Sequence, residues 1–263
     1  RVEARSDRNL ARMRKPFQGV ANIVRFNWHF FALALIAAAA VAWASSGLEG
    51  NLRLLGFGFI ATMGGMMLVS LCVSFYVYDR SGLHEFAWLD SIALGPGGAM
   101  LNIHAGLDET TPLLRERYPE AEWAVLDFYN PAKHTEVSIQ RARKLYPPSP
   151  DDLRVDAAEL PVAAESIDAA FVLLAAHEIR EVPERHAFFK ELQRVLKPGG
   201  RAVVLEHLRD GPNFCAYAVG AFHFMSRKIW LTGFEQSKLR IAQTIRPNPF
   251  MACFILEKDE STP

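Results

Sequence analysis

Cysteine is scarce: only Cys72, Cys215 and Cys253 occur, far apart and without C-x-x-C or Cys/His spacing. That excludes a disulfide framework and a cysteine-ligated zinc centre, and no other metal-binding spacing is present. Each thiol reads as a small apolar side chain, in keeping with a reducing compartment. Net charge is lacking too, with 29 basic against 29 acidic residues. No overall field therefore draws the chain to nucleic acid or another polyanion. Internal repeats and low-complexity tracts are absent, apart from one alanine-rich stretch.

The most informative absence is local. Residues 26–48 contain no Asp, Glu, Lys or Arg, and neither do residues 54–78. Runs of roughly 23 and 25 residues, rising about 1.5 Å per residue, can each cross a hydrocarbon core of about 30 Å. Between them lie Gly47, Glu49, Gly50 and Asn51, so an antiparallel transmembrane hairpin is expected. Small residues are expected where the helices touch: the alanines at 37–40 with Ala42 and Ala44, against Gly56, Gly58, Ala61, Gly64 and Gly65. Trp28, Trp43, Tyr76 and Tyr78 suit interfacial belts, and His29 reads as an interfacial residue. Arg1, Arg5, Arg8, Arg12, Arg14, Lys15 and Arg25 precede the first helix, whereas the connecting turn holds only Arg53. The positive-inside rule then puts both termini and the globular part in the cytoplasm, at a bacterial inner membrane. The competing reading is a pair of buried helices in a soluble protein.

The expected division is a basic segment at 1–25, the hairpin at 26–78, a linker at 79–94 and a globular domain at 95–263. Beyond residue 79 charges return, and short aliphatic runs alternate with amphipathic stretches, as in an α/β, Rossmann-like fold. Strands are expected near 100–104, 123–127, 153–155, 167–174 and 201–207, with helices at 111–118, 134–145 and 184–196. Lys197-Pro198-Gly199-Gly200 stops the last of these helices. Residues 238–245 and 250–257, split by Arg246-Pro247-Asn248-Pro249, read as an antiparallel pair closing a sheet edge.

The stretch Glu191-Leu192-Gln193-Arg194-Val195-Leu196-Lys197-Pro198-Gly199-Gly200-Arg201-Ala202-Val203-Val204-Leu205-Glu206 closely resembles class I S-adenosylmethionine-dependent methyltransferases, especially the ubiquinone and menaquinone C-methyltransferase group. Upstream, Asp156-Ala157-Ala158-Glu159-Leu160-Pro161 and Ser166-Ile167-Asp168-Ala169-Ala170 resemble that group's third-strand acidic loop and fourth strand. The resemblance, over roughly residues 95 to 257, implies a seven-stranded sheet with S-adenosylmethionine over the C-terminal strand ends. It also implies that Asp127 accepts hydrogen bonds from the ribose hydroxyls and that Asp156 and Ala157 meet the adenine. The first motif departs from the family's acidic residue and three glycines, reading Leu101-Asn102-Ile103-His104-Ala105-Gly106-Leu107-Asp108-Glu109-Thr110. Asn102, His104 and Gly106 are expected at the methionine end, where His104 and Asp108 crowd or rebuild the pocket.

Methyl transfer needs an in-line approach, and a base helps for oxygen or carbon acceptors. His177 and Glu178, after the fourth strand, are the catalytic candidates; the competing role of His177 is to order the next helix. Glu206 and His207 face the same cleft or pair with Arg209 or Arg227. His134, His186 and His223 read as structural. The apolar stretch 213–225 either roofs a greasy substrate or packs on the sheet or bilayer. Arg227, Lys228 and Trp230 after it suit a headgroup interface. The expected function is a membrane-anchored methyltransferase acting on a lipophilic acceptor, a quinone, isoprenoid or lipid. The alternative is a catalytically inactive accessory subunit whose partners are other membrane proteins.

Overall fold

A computed structural model describes residues 15–259; Arg1, Arg5, Arg8, Arg12 and Arg14 lie outside them. Two long helices come first, α1 (Gln18–Ser46) and α2 (Gly50–Phe75). Both are long and apolar enough to cross a membrane, with mean hydropathy 1.7 and 1.9 in their most apolar windows. Their contact faces follow a coiled-coil rhythm. Phe31, Ala34, Ala38, Val41 and Ser45 of α1 are covered, as are Gly56, Ile60, Met63, Met67, Ser70 and Ser74 of α2. Spacings alternating between three and four keep one seam inward along an antiparallel pair. Only part of the expected small-residue face lies there: Ala37, Ala39, Ala40 and Ala44 point outward, and nothing lies close to Gly58, Gly64 or Gly65. Gly56 does sit in the seam, where a side chain would strike Ser45. The remaining circumference is bare and apolar, with Leu35, Trp43, Leu54 and Leu68 all exposed.

Helix α1 starts before the apolar run because a partner satisfies its first amides. The Asp79 carboxylate accepts from Gly19 N at 2.7 Å and Val20 N at 2.9 Å, a cap supplied from beyond the end of α2. At Asn27 the backbone leaves helical geometry (φ −115°, ψ 18°), and the Asn27 amide donates back to Ile23 O at 3.1 Å. This kink separates an amphipathic first stretch, docked on the globular part, from the apolar remainder.

The globular part holds β1 (Gly97–His104), α3 (Thr111–Arg117), β2 (Glu120–Asp127), α4 (Val137–Leu145), β3 (Leu153–Arg154), β4 (Ile167–Leu173), α5 (Val182–Val195), β5 (Leu196–His207), α6 (Gly211–Tyr217), α7 (Arg227–Gln236), β6 (Leu239–Ile245) and β7 (Met251–Lys258). The sheet runs β3-β2-β1-β4-β5-β7-β6, with β7 antiparallel to both of its neighbours and every other pairing parallel. The expected Rossmann-like seven-stranded α/β fold is therefore present, and 238–257 form its antiparallel edge. Order reverses between β1 and β4, the position at which open α/β sheets take ligands beyond the strand ends.

Two apolar layers cover the sheet. One packs Phe188, Phe189, Leu192, Trp230 and Phe234 against Ala170, Val172, Val204 and Phe254. The other is partly built from the segment expected to be a linker: Leu83, Phe86, Leu89 and Ile92 are buried with Met100, Phe171, Val203 and Ile255. Those four recur every third residue through two short 3₁₀ turns, Leu83–Glu85 and Ala87–Ser91, which put such residues on one side. Residues 79–94 are thus part of the core; their apolar area holds them to the sheet.

Candidate functional site

Three positions along the C-terminal strand ends matter. At the tip of β1, the buried Asn102 turns away from the crevice. Its Nδ2 donates to Thr111 Oγ1 at 2.6 Å and Thr110 Oγ1 at 3.2 Å. Asp108 caps the same turn, its Oδ1 accepting from Thr110 N and Thr111 N, each at 2.9 Å. Asn102 therefore ties β1 to the start of α3, a correction to its expected contact with cofactor: its amide donor is engaged by the Thr110 and Thr111 hydroxyls. His104 is buried, its Nδ1 accepting from Gly106 N at 3.1 Å and its Nε2 lying 3.4 Å from Asp152 Oδ2. Burial raises the Asp152 carboxyl, with His104 pulling the other way.

At the tip of β2, Asp127 is 1% exposed and aligned with His104 on β1. Arg143 of α4 holds it, Nη1 donating to Oδ1 at 3.0 Å and Nη2 lying 2.9 Å from Oδ2 as an ion pair, with Oδ2 left without a hydrogen bond. The guanidinium also lies 4.3 Å from the centre of the Tyr129 ring. Gly106, the retained glycine, has φ +138°, and a Cβ there would come within 2.6 to 2.8 Å of Arg143 Cγ, Nη1 and Cδ. The arginine lies directly on the glycine turn. Sequence reasoning missed it; the sole hint was a single glycine kept where three are usual.

Beyond β3, Asp156 and Ala157 line an open cleft of about 330 Å³ with Tyr129, Asn130, Lys133 and Glu184. Asp156 Oδ1 accepts from Ala158 N at 2.9 Å; that bond, with Lys133 close by, holds the carboxyl below its usual range. The volume is that of a small ligand site.

At the tips of β4 and β5 the structure joins His177, Glu178 and Glu206. His177 Nδ1 lies 2.8 Å from Glu206 Oε2, His177 N donates to Glu206 Oε1 at 3.1 Å, and Nε2 is 3.4 Å from Glu178 Oε1. Glu206 thus pairs with His177 rather than with Arg209 or Arg227. Burial pulls the imidazole pKa down, but the two carboxylates outweigh it and push it up to about 10. His177 is then charged at neutral pH, which reverses the base role expected of it. Burial would raise Glu178, yet His177, His223 and Arg180 keep it below the usual carboxylate range. His223 was expected to be structural but joins this group, its ring 5.4 Å from that of His177.

His207, one residue beyond Glu206, points elsewhere. Its Nε2 is 2.8 Å from the Tyr78 hydroxyl, and Nδ1 is 3.0 Å from Phe250 O. Tyr78 is therefore a strut between hairpin and sheet rather than a belt residue. Arg141 Nη1 of α4 reaches Phe26 O and His29 Nδ1, both at 2.7 Å, and Tyr146 donates to Asn22 Oδ1 at 3.0 Å. Ser74 of α2 is buried beside Tyr217. The hairpin base thus docks on the same edge of the sheet as the site. His134 is structural as expected, its Nδ1 accepting from Asn130 N at 2.9 Å.

The strand order places the domain in the Rossmann-like methyltransferase fold class. Residues 106–204 match the methyltransferase domain family. The ubiquinone/menaquinone biosynthesis C-methyltransferase UbiE of Syntrophotalea carbinolica is 34% identical over 126 residues, 46% of this chain and 49% of that one. The protein of the same name from Rhizobium meliloti is 36% identical over 134 residues, 48% and 50% of the two chains. The chain spans about half the length of these curated relatives. Among solved structures, a SAM-dependent methyltransferase from Aquifex aeolicus is similar at TM-score 0.50 and 18% identity, covering 68% of this chain and 94% of that one. A geranyl diphosphate methyltransferase in complex with SAM is similar at TM-score 0.50 and 14% identity, covering 72% and 90%. These two likenesses concern the fold.

S-adenosylmethionine is the cofactor of this domain class. The residues present fit the nucleoside at two points, the Asp127 carboxylate and the cleft at Asp156 and Ala157. Between them Arg143 covers Gly106 and holds Asp127.

Proposed function

We propose that the protein is a membrane-anchored methyltransferase whose acceptor is lipophilic: a quinone or isoprenoid intermediate, or a lipid. The observation that carries this reading is the docking of the hairpin base on the site edge of the sheet through Tyr78, Ser74 and the Arg141 contact to Phe26 O. Membrane surface and acceptor site then lie on one side. Phe214, Val219 and Phe222, exposed on and beyond α6, extend an apolar surface from that base. The named activity of the relatives, quinone C-methylation, agrees with such an acceptor.

Asp127 and the Asp156 cleft hold the nucleoside once Arg143 swings aside; the bound cofactor supplies the methyl group. His177 and Glu178 handle the acceptor. The Glu178 carboxylate takes a proton from a hydroxyl, and the charged His177, braced by Glu206, stabilises the oxyanion that forms. The hairpin spans a bacterial inner membrane with both termini and the globular part in the cytoplasm, as Lys15 before α1 and Arg25 ahead of its apolar run favour.

Arg143 also favours a second reading, an inactive subunit whose cofactor crevice is permanently shut and whose bare hairpin packs against other membrane proteins. The deciding experiment incubates the detergent-purified chain with labelled S-adenosylmethionine and membrane lipid extract. Label in an extractable lipid, lost with Asp127→Ala, supports the enzyme. Absence of label and of cofactor binding, even with Arg143→Ala, supports the inactive subunit.

A further inference from the structure

From the cluster beyond β4 and β5 we infer a binding site for one divalent transition-metal ion, held by His177 Nε2, a Glu178 carboxylate oxygen and a ring nitrogen of His223. One ligand atom from each lies within 4.8 Å of the others, a span that closes around an ion after small rotations. Two imidazoles and one carboxylate form the ligand set of open zinc and non-haem iron sites, which keep positions free for substrate or water.

Three further observations support the site. Glu178 is 94% buried, being 6% exposed, and its Oε2 has no hydrogen-bond partner, a costly arrangement that a ligand at this cluster relieves. The His177 Nδ1 contact to Glu206 Oε2 at 2.8 Å is the outer-sphere arrangement by which a carboxylate fixes a metal-bound histidine and leaves Nε2 as the ligand atom. Local charge is also unbalanced. Glu136, Glu178 and Glu206 face one guanidinium, that of Arg180, and the proton that His177 carries leaves when an ion takes Nε2. Arg180 now lies against the ring of His223, Nη2 being 2.8 and 3.0 Å from its two nitrogens, while Nη1 donates to His223 O at 2.7 Å. Entry of the ion moves the Nη2 contact toward Glu136, already 3.7 Å away.

The use of the ion rests on the proposed function, since a cation here would bind an acceptor hydroxyl and favour its ionised form. Binding of the ion does not rest on it, and the test separates the two. Tag-free full-length protein in detergent is titrated with Co²⁺ and with Zn²⁺, without methyl donor or acceptor, and followed by visible absorption and calorimetry. One ion per chain is expected. His177→Ala and His223→Gln should each weaken it by about 100-fold, and Glu206→Gln by about 10- to 100-fold. His223→Gln alters a side chain 31% exposed, so it decides the matter even if His177→Ala fails to fold. Less than one ion per chain, or affinity unchanged in His223→Gln, overturns the site. A metal-binding protein that methylates nothing would leave the site standing and sink the proposed function.

Discussion

The tips of β2 and of β4–β5 flank the same strand, β1, yet they handle buried charge in opposite ways. At β2 a single carboxylate, Asp127, meets a single guanidinium, Arg143, with a ring stacked beneath and a glycine turn under the arm. At β4 and β5 carboxylates outnumber guanidiniums, and one glutamate oxygen is left without a bond. A one-to-one ion pair closes a crevice, because a ligand would have to replace the guanidinium, even though Asp127 Oδ2 also lacks a hydrogen bond. Unbalanced charge keeps a cleft receptive, since the missing countercharge must come from something that binds. One sheet edge thus sets a closed ion pair beside a more open cluster of carboxylates and imidazoles.

The comparison breaks most sharply at Arg143. Arg143→Ala leaves Asp127 buried without its countercharge and should cost about 3 to 5 kcal/mol in denaturant unfolding of the globular part. Adding Asp127→Asn should recover much of that loss, and Arg143→Ala alone should tighten S-adenosylmethionine binding at least about tenfold by calorimetry. Unchanged stability in Arg143→Ala would show that the bridge does not close the crevice.

Acid separates the sites from the strut beside them. Burial keeps His207 neutral in the folded chain until about pH 4, against an ordinary value of 6.5. The unfolded chain therefore takes up this proton first. The stability contributed is complete above pH 6.5 and is lost as pH falls through the window down to about 4, on the order of 3 kcal/mol. Unfolding midpoints between pH 7 and 4 should show this slope, and His207→Gln should flatten it.

Glu206→Gln keeps the shape of a buried side chain but removes the charge facing His177, which should cost about 2 kcal/mol in the same unfolding assay. Gly106→Ala should cost about 1 to 3 kcal/mol, from the positive φ and from contact with Arg143. Part of that loss should vanish in the Arg143→Ala background, where room exists for the methyl group. A loss independent of residue 143 would place the strain in the backbone alone.

Much of the sheet was legible in sequence because it is written locally. Aliphatic runs end in Asp127 and His104, and the Pro-Gly stop before β5 marks a helix-to-strand turn. The carboxylates at 127 and 156 were legible by position. What occupies them was not, since Arg143 comes from a separate helix, 16 positions after Asp127, and only the fold brings the two together. His223 lies 46 positions from His177, and only the fold brings the two rings together. Residues 79–94 were misread because a three-residue apolar rhythm, from Leu83 to Ile92, fits neither α-helix nor strand. Within the hairpin, composition identified two apolar helices but not the seam between them, which only the alternation of three and four reveals.

The bond between Tyr78 and His207, with Arg141 holding Phe26 O of α1, leaves no slack between hairpin and sheet. A flexible tether would let the domain wander over a hemisphere above the bilayer, raising local concentration but not aiming it. Under the proposed anchoring, any tilt that bilayer thickness forced on the hairpin would be carried into the sheet as by a lever. Hydrocarbon thickness would then set the depth at which the strand ends ride, and lipid composition would control what reaches them.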